Sequence, residues 1–188
     1  MTNDEDTSVR IVGNLRARDG RGVVRMEDRY QTDINDLWSA LTDPHRLARW
    51  IADVHGALYV GGEFHARFTS GWDGPGRVDV CEPPRFLQLT LCPAQQDETV
   101  IEAHLVALSD QLTHLVVEER GLPLDELAAH GAGWQAHVED LSRLPGRACA
   151  HRLAGPVDRA HAVVPGSRAE PLNRQFPCPA TRRVVTLT

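Results

Sequence analysis

The spacing of apolar residues along this chain alternates between the strand period of two and the helical period of about 3.6, and the changes divide it into elements. Residues 8–15 (SVRIVGNL) and 23–32 (VVRMEDRYQT) have strand character and flank Asp19-Gly20, a hairpin turn signal. Asp33 then offers an N-cap oxygen and Asp36 sits in the first turn. Ile34, Leu37, Trp38 and Leu41 recur at helical spacing until Asp43-Pro44 stops the run. A second short helix is predicted from 45 to about 52, carrying Leu47 and Trp50.

From 57 to 120 the apolar residues alternate: Phe64, Ala66, Phe68; Val78, Val80; Leu87, Leu89, Leu91; Ile101, Ala103, Leu105, Ala107; Leu115, Val117. Half-buried antiparallel strands follow from that pattern. Turn signals separate them at Gly61-Gly62, in the segment GWDGPG (71–76), at Pro83-Pro84, across 92–97 and at Ser109-Asp110, so adjacent strands make a meander. The helical period returns over 124–144, with Leu124, Leu127, Ala128, Gly131, Trp134, Val138 and Leu141 on one face, and Pro145-Gly146 ends it. The order is an opening strand unit, two short helices, five or six strands and one long helix. A single amphipathic helix laid across a curved antiparallel sheet buries both apolar faces, which makes the expected class α+β.

Composition narrows the chemistry. All 20 positive side chains are arginine and the chain has no lysine, so Schiff-base chemistry, a phosphate-loop lysine and a lysine base are excluded. A formal charge of −6 provides no broad cationic surface, which argues against nucleic acid and anionic membranes as partners. The acidic start MTNDEDTSVR lacks a signal pattern and no apolar run is long enough to span a bilayer, so a cytoplasmic protein without membrane insertion is expected. Cys81, Cys92, Cys149 and Cys178 form no C-x-x-C pair and read as reduced thiols. A bridge between Cys81 and Cys92 would have to cross roughly 20 Å of strand. After residue 146 the character changes: 147–188 is rich in proline and arginine, has no sustained period, and is expected to be a disordered basic tail following a domain at 8–146.

Taken together, several short segments resemble a known family. They are Leu37-Trp38-Ser39-Ala40-Leu41-Thr42-Asp43-Pro44 with Leu47 and Trp50; Gly61-Gly62-Glu63-Phe64; Gly76-Arg77-Val78; Glu82-Pro83-Pro84; Glu118-Glu119-Arg120-Gly121-Leu122-Pro123; and Gly133-Trp134. In order and spacing, over roughly residues 8–144, they are similar to the heat-shock chaperone ATPase activator-like branch of the SRPBCC (START/Bet v 1-like) superfamily. That resemblance implies a helix-grip fold, a curved antiparallel sheet wrapped around a long C-terminal helix. It also implies a cavity between sheet and helix, used across the superfamily to hold hydrophobic molecules. No cofactor is implied.

Strand parity and the helix face direct Trp50, Phe64, Phe68, Leu89, Leu105, Val117 and Trp134 toward one interior, as core or as cavity lining. Gly131 and Gly133 beside Trp134 remove bulk at a cost of up to about 1 kcal/mol each in a helix, which argues that the space is used. Glu119 shares the parity of Leu115 and Val117 and so points inward, where a carboxylate needs a partner or an upward pKa shift. It has no obvious internal partner in the sequence and is otherwise a strand-end carboxylate turned to solvent. His104 and His114 carry outer-face parity with Glu102 and Glu118, a weak metal candidate that lacks a third ligand. His65 alternates with Glu63 and Arg67 on a solvated face. GWDGPG lacks a phosphate loop's lysine and helix, and reads as a mobile rim with Trp72 as lid or edge cap.

Three functions remain open at this stage: a binding module for a small hydrophobic molecule; a chaperone-cofactor or regulatory module with a protein partner, which predicts a closed core; and a cyclase, aromatase or hydrolase-type enzyme, which needs polar groups converging inside the cavity.

Overall fold

A computed structural model describes residues 12–144, and the expectations for the tail at 147–188 fall outside the described residues. The chain opens with β1 (Val12–Arg18) and β2 (Arg21–Tyr30). They are joined at Asp19 and Gly20, whose φ values of 52° and 76° are the two positive angles that a tight hairpin of matching twist requires. Helix α1 (Ile34–Thr42) starts where expected because the Asp33 side chain accepts from the backbone N–H groups of Asn35 and Asp36, at 2.9 and 3.0 Å.

Asp43 ends α1 and caps the single turn α2 (Pro44–Leu47), accepting from the His45 N–H at 2.8 Å. This second helix is shorter than predicted. Ala52 already belongs to strand β3 (Ala52–Gly56), and Trp50 occupies the turn between, donating its indole N–H to the Ala40 carbonyl at 3.0 Å. The sheet's demand for an edge strand thus overrides the helical spacing of Leu47 and Trp50.

The meander continues through β4 (Glu63–Phe68), β5 (Asp73–Glu82), β6 (Phe86–Leu91), β7 (Thr99–Ser109) and β8 (Leu112–Leu122), after which α3 (Leu127–Ser142) closes the described chain. All pairings are antiparallel, in the order β1-β2-β8-β7-β6-β5-β4-β3. The two short helices carry the chain from β2 to the far edge of the sheet, and the meander returns it so that β8 lies beside β2. Helix α3 then packs against β1 and β2. The architecture is the predicted α+β helix grip, with one difference: both strands of the opening hairpin join the same sheet before the short helices.

Three local expectations are corrected. The segment GWDGPG is not a loop, because β5 begins at Asp73 and Gly74 and Gly76 pair with Ala66 and Phe64. A Cβ at Gly76 would stand 2.3 Å from Phe64 Cζ, so the glycine lets that ring lie against the strand. Val80 leaves the inner-face series because the β5–β6 register shifts between Val78 and Val80, and Cys81 packs on the core instead. Leu124 precedes α3 and is 49% exposed, and Ala128 is exposed as well; the buried face consists of Gly131, Trp134, His137, Val138 and Leu141. Cys92 is a buried free thiol, and no bridge joins it to Cys81.

The core is one cluster. It joins Leu37 and Leu41 of α1, Trp50, Phe64, Leu105, Leu115 and Val117 of the sheet side, and Trp134, Val138 and Leu141 of α3. Asp28, on the inner face of β2, is buried with its Oδ2 unpartnered, and burial raises its carboxyl above the usual range. Replacing Asp33 with Ala removes the α1 cap, and chemical denaturation is expected to register a loss of about 1 kcal/mol.

Candidate functional site

Between the inner face of the sheet and α3 lies a cavity of about 520 Å³. One wall is apolar and comes from strands and their turns: Leu91, Ile101, Leu122, Phe68 and Trp72. Phe68 and Trp72 meet edge to face with centroids 5.2 Å apart, so Trp72 forms part of the wall itself. The opposite wall is α3, contributing Ala129, His130, Gly133, Trp134 and His137. Exposed Asp97 and Glu126 stand at the rim, with Thr99 and Glu119 deeper in.

Glycines 131 and 133 serve different purposes. A Cβ on Gly131 would meet Leu15 Cδ2 at 2.8 Å, so this glycine admits the β1 side chain against the helix. A Cβ on Gly133 would meet nothing within 4 Å, and Gly133 lines the cavity. The space left by the second glycine is therefore cavity space.

Glu119 is the organising polar group. It is 4% exposed and accepts three hydrogen bonds: from Trp134 Nε1 at 2.7 Å, from Thr99 Oγ1 at 3.1 Å and from His130 Nδ1 at 3.3 Å. Three donors satisfy a carboxylate that would otherwise be costly to bury. The solvent-facing alternative for Glu119 is thus overturned. Its partners were not visible in the sequence because they come from β7 and from two consecutive turns of α3.

His130 also approaches Glu126, Nε2 to Oε2 at 3.8 Å, so it stands between two carboxylates. The hydrogen bond to Glu119 raises its pKa above the ordinary 6.5, more than its partial burial lowers it. His137, seven residues further along α3, has the opposite environment. Its Nδ1 donates to the Trp50 carbonyl at 3.3 Å, its ring lies edge-on to Trp134, and burial pulls its pKa below 6.5. The donating Nδ1 leaves Nε2 as the acceptor of a neutral ring. Sequence periodicity gave no reason to single out either histidine; the only signal was their i, i+7 spacing on the helix face that carries Trp134.

The predicted pocket residues divide among three places. Phe68, Glu119 and Trp134 line the larger cavity. Trp50, Phe64, Leu89 and Val117, again with Phe68 and Trp134, line a second, apolar cavity of about 110 Å³. Phe68, Leu91, Ile101 and Trp134 border both and form a partition between them. Leu105 lines neither; it is 2% exposed and belongs to the packed core.

The outer-face histidines are not brought together. His104 pairs in register with Val116 and His114 with Val106, and their nearest carboxylates are Glu102 at 3.8 Å and Glu27 at 3.7 Å. Among the described residues no group of three His, Cys, Asp or Glu side chains could hold a metal ion. His65 is exposed and reaches Asp73 at 2.8 Å. No helix among the described residues is long and apolar enough to cross a membrane.

Sheet, gripped helix and interior cavity define a helix-grip domain of the SRPBCC (Bet v 1-like) superfamily. Within it, the chain belongs to the family described as Activator of Hsp90 ATPase homolog 1-like protein, whose match covers residues 31–145. Solved structures agree. CalU16 from Micromonospora echinospora is 26% identical, with a TM-score of 0.59 over 71% of this chain and 83% of that one. A protein from Mesorhizobium loti is 26% identical, with a TM-score of 0.58 over 64% of this chain and 94% of that one. DynU16, described as a putative protein in the dynemicin biosynthetic locus, is 26% identical with a TM-score of 0.58, covering 67% of this chain and 47% of its own. No curated protein matches the chain by sequence.

The two cavity histidines are expected to titrate on opposite sides of 6.5, His130 above and His137 below, in an NMR pH titration of their ring protons. The stability that His130 contributes is complete below 6.5 and is lost as pH rises through its raised value; that of His137 is present above 6.5 and is lost as pH falls through its lowered one. Substituting Glu119→Gln should move the His130 titration downward. An unmoved His130 would refute the assigned contact.

Proposed function

We propose that this protein binds a small hydrophobic molecule in the cavity between the sheet and α3, with Phe68 and Trp134 as its principal apolar contacts and Glu119 at the polar end. The observation that carries this reading is the cavity itself: about 520 Å³ falls within the range of roughly 300–1,000 Å³ typical of small-molecule sites. The concavity is lined by Phe68, Leu91, Ile101 and Trp134 with a few convergent polar groups, and Gly133 leaves its helix wall without a side chain, which argues for use. Trp50, Phe64, Leu89 and Val117 stand behind the partition and would meet a ligand only if it reached the smaller cavity.

A role as a chaperone cofactor or regulatory module, suggested by the family's description, predicts a closed interior, and the cavity counts against it. DynU16's stated place in a biosynthetic locus supports an association of this fold with small-molecule chemistry. The domain at 8–146 is the unit to which we assign the binding.

Native mass spectrometry of gently purified protein, followed by a thermal-shift screen of hydrophobic compounds, tests the reading. A bound species or a melting shift of several degrees is expected. Gly133→Leu should abolish either signal while leaving the circular dichroism unchanged, since its side chain enters open space. Gly133→Ala should retain binding and stabilise the helix by about 0.5–1 kcal/mol. Absence of any ligand or shift across a broad panel would overturn the proposal.

A further inference from the structure

Among the described residues that line the larger cavity are three carboxylates, Asp97, Glu119 and Glu126, and no arginine, and the chain contains no lysine. Its remaining charge-bearing side chains are His130 and His137. His130 has both ring nitrogens directed at carboxylates, Glu119 at 3.3 Å and Glu126 at 3.8 Å, so any charge it carries is already compensated. His137 is buried, and its Nδ1 is committed to the Trp50 carbonyl. Among the described residues, Arg21 donates to the Gln96 carbonyl at 3.0 Å in the loop beside Asp97 and is not part of the lining. Counted over the described residues, the polar end of the cavity is therefore net negative even with His130 protonated.

An anionic ligand entering this space gives up its hydration and finds no uncompensated cation among the described residues, whereas a cation or hydrogen-bond donor finds carboxylate oxygens. We propose that the cavity selects amphiphiles whose polar end is a protonated amine, and that it discriminates against carboxylic and phosphate amphiphiles. The apolar body lies along Phe68, Leu91, Ile101 and Trp134, and the ammonium group lies toward Asp97 and Glu126 with Glu119 behind them. This inference rests on the binding function proposed above and names its ligand class.

Calorimetric titration of the full chain at pH 7.5 with n-decylamine, n-decanol and n-decanoate, each below its micelle concentration, holds the apolar body constant and varies only the head group. Decylamine is expected to bind at least tenfold more tightly than decanoate, with decanol between them. The double variant Asp97→Asn with Glu126→Gln changes two exposed side chains, so the fold should persist; it should reduce the amine-to-acid ratio at least threefold. Gly133→Leu should remove decylamine binding, and amine binding that survives it is adsorption to the acidic surface and overturns the proposal. Decanoate binding as tightly as decylamine overturns the charge selection while leaving the binding function intact. Failure of all three probes, with no molecule co-purifying, removes both.

Discussion

A carboxylate buried beneath a helix fixes the geometry of this interior. Glu119 on β8 collects a hydroxyl from β7 and, from α3, an indole N–H and an imidazole nitrogen, so one group ties two strands to the helix that covers them. Apolar contacts are non-directional and would allow α3 to slide or rotate on the sheet. Hydrogen bonds to a single buried acceptor permit one rotation of the helix, and with it the placement of Trp134 and His130 against the cavity follows. Removing the acceptor would leave buried donors unpaired, at about 1–3 kcal/mol each, so the polar end of the site and the seat of the helix are one construction.

Much of the fold was legible because it depends on local rules. The positive-φ turn at Asp19-Gly20, the Asp33 cap and the alternation from Phe64 to Val117 each need only neighbours in sequence. The misreadings fall where tertiary pairing outweighed local preference. Leu47 and Trp50 kept helical spacing, but strand pairing with β4 took the chain into β3 at Ala52. GWDGPG carries the residues of a loop, yet Gly74 and Gly76 lie in β5, where Gly76 gives the ring of Phe64 its room. At Val80 a single register shift reversed the parity on which the inward assignment rested.

The site was legible in its apolar half. Strand parity and the helix face point Phe68, Glu119 and Trp134 to one interior, but they do not separate cavity wall from solid core, which is why Leu105 and the lining residues look alike in the sequence. The polar half required distances. His130 and His137 sit on one helix with similar spacing from Trp134, and only the strand carboxylate beside one and the main-chain carbonyl beside the other set them apart.

The interior is two chambers divided by Phe68, Leu91, Ile101 and Trp134, and the members of that partition differ in their freedom. Leu91 and Ile101 are fixed by strands, and Trp134 is anchored through its indole N–H, while Phe68, half-buried at the end of β4, is held by ring contacts with Trp72 and His137 instead of a hydrogen bond. The length of molecule that the domain can hold therefore depends on whether that ring turns, since turning it would join the two spaces into one longer groove.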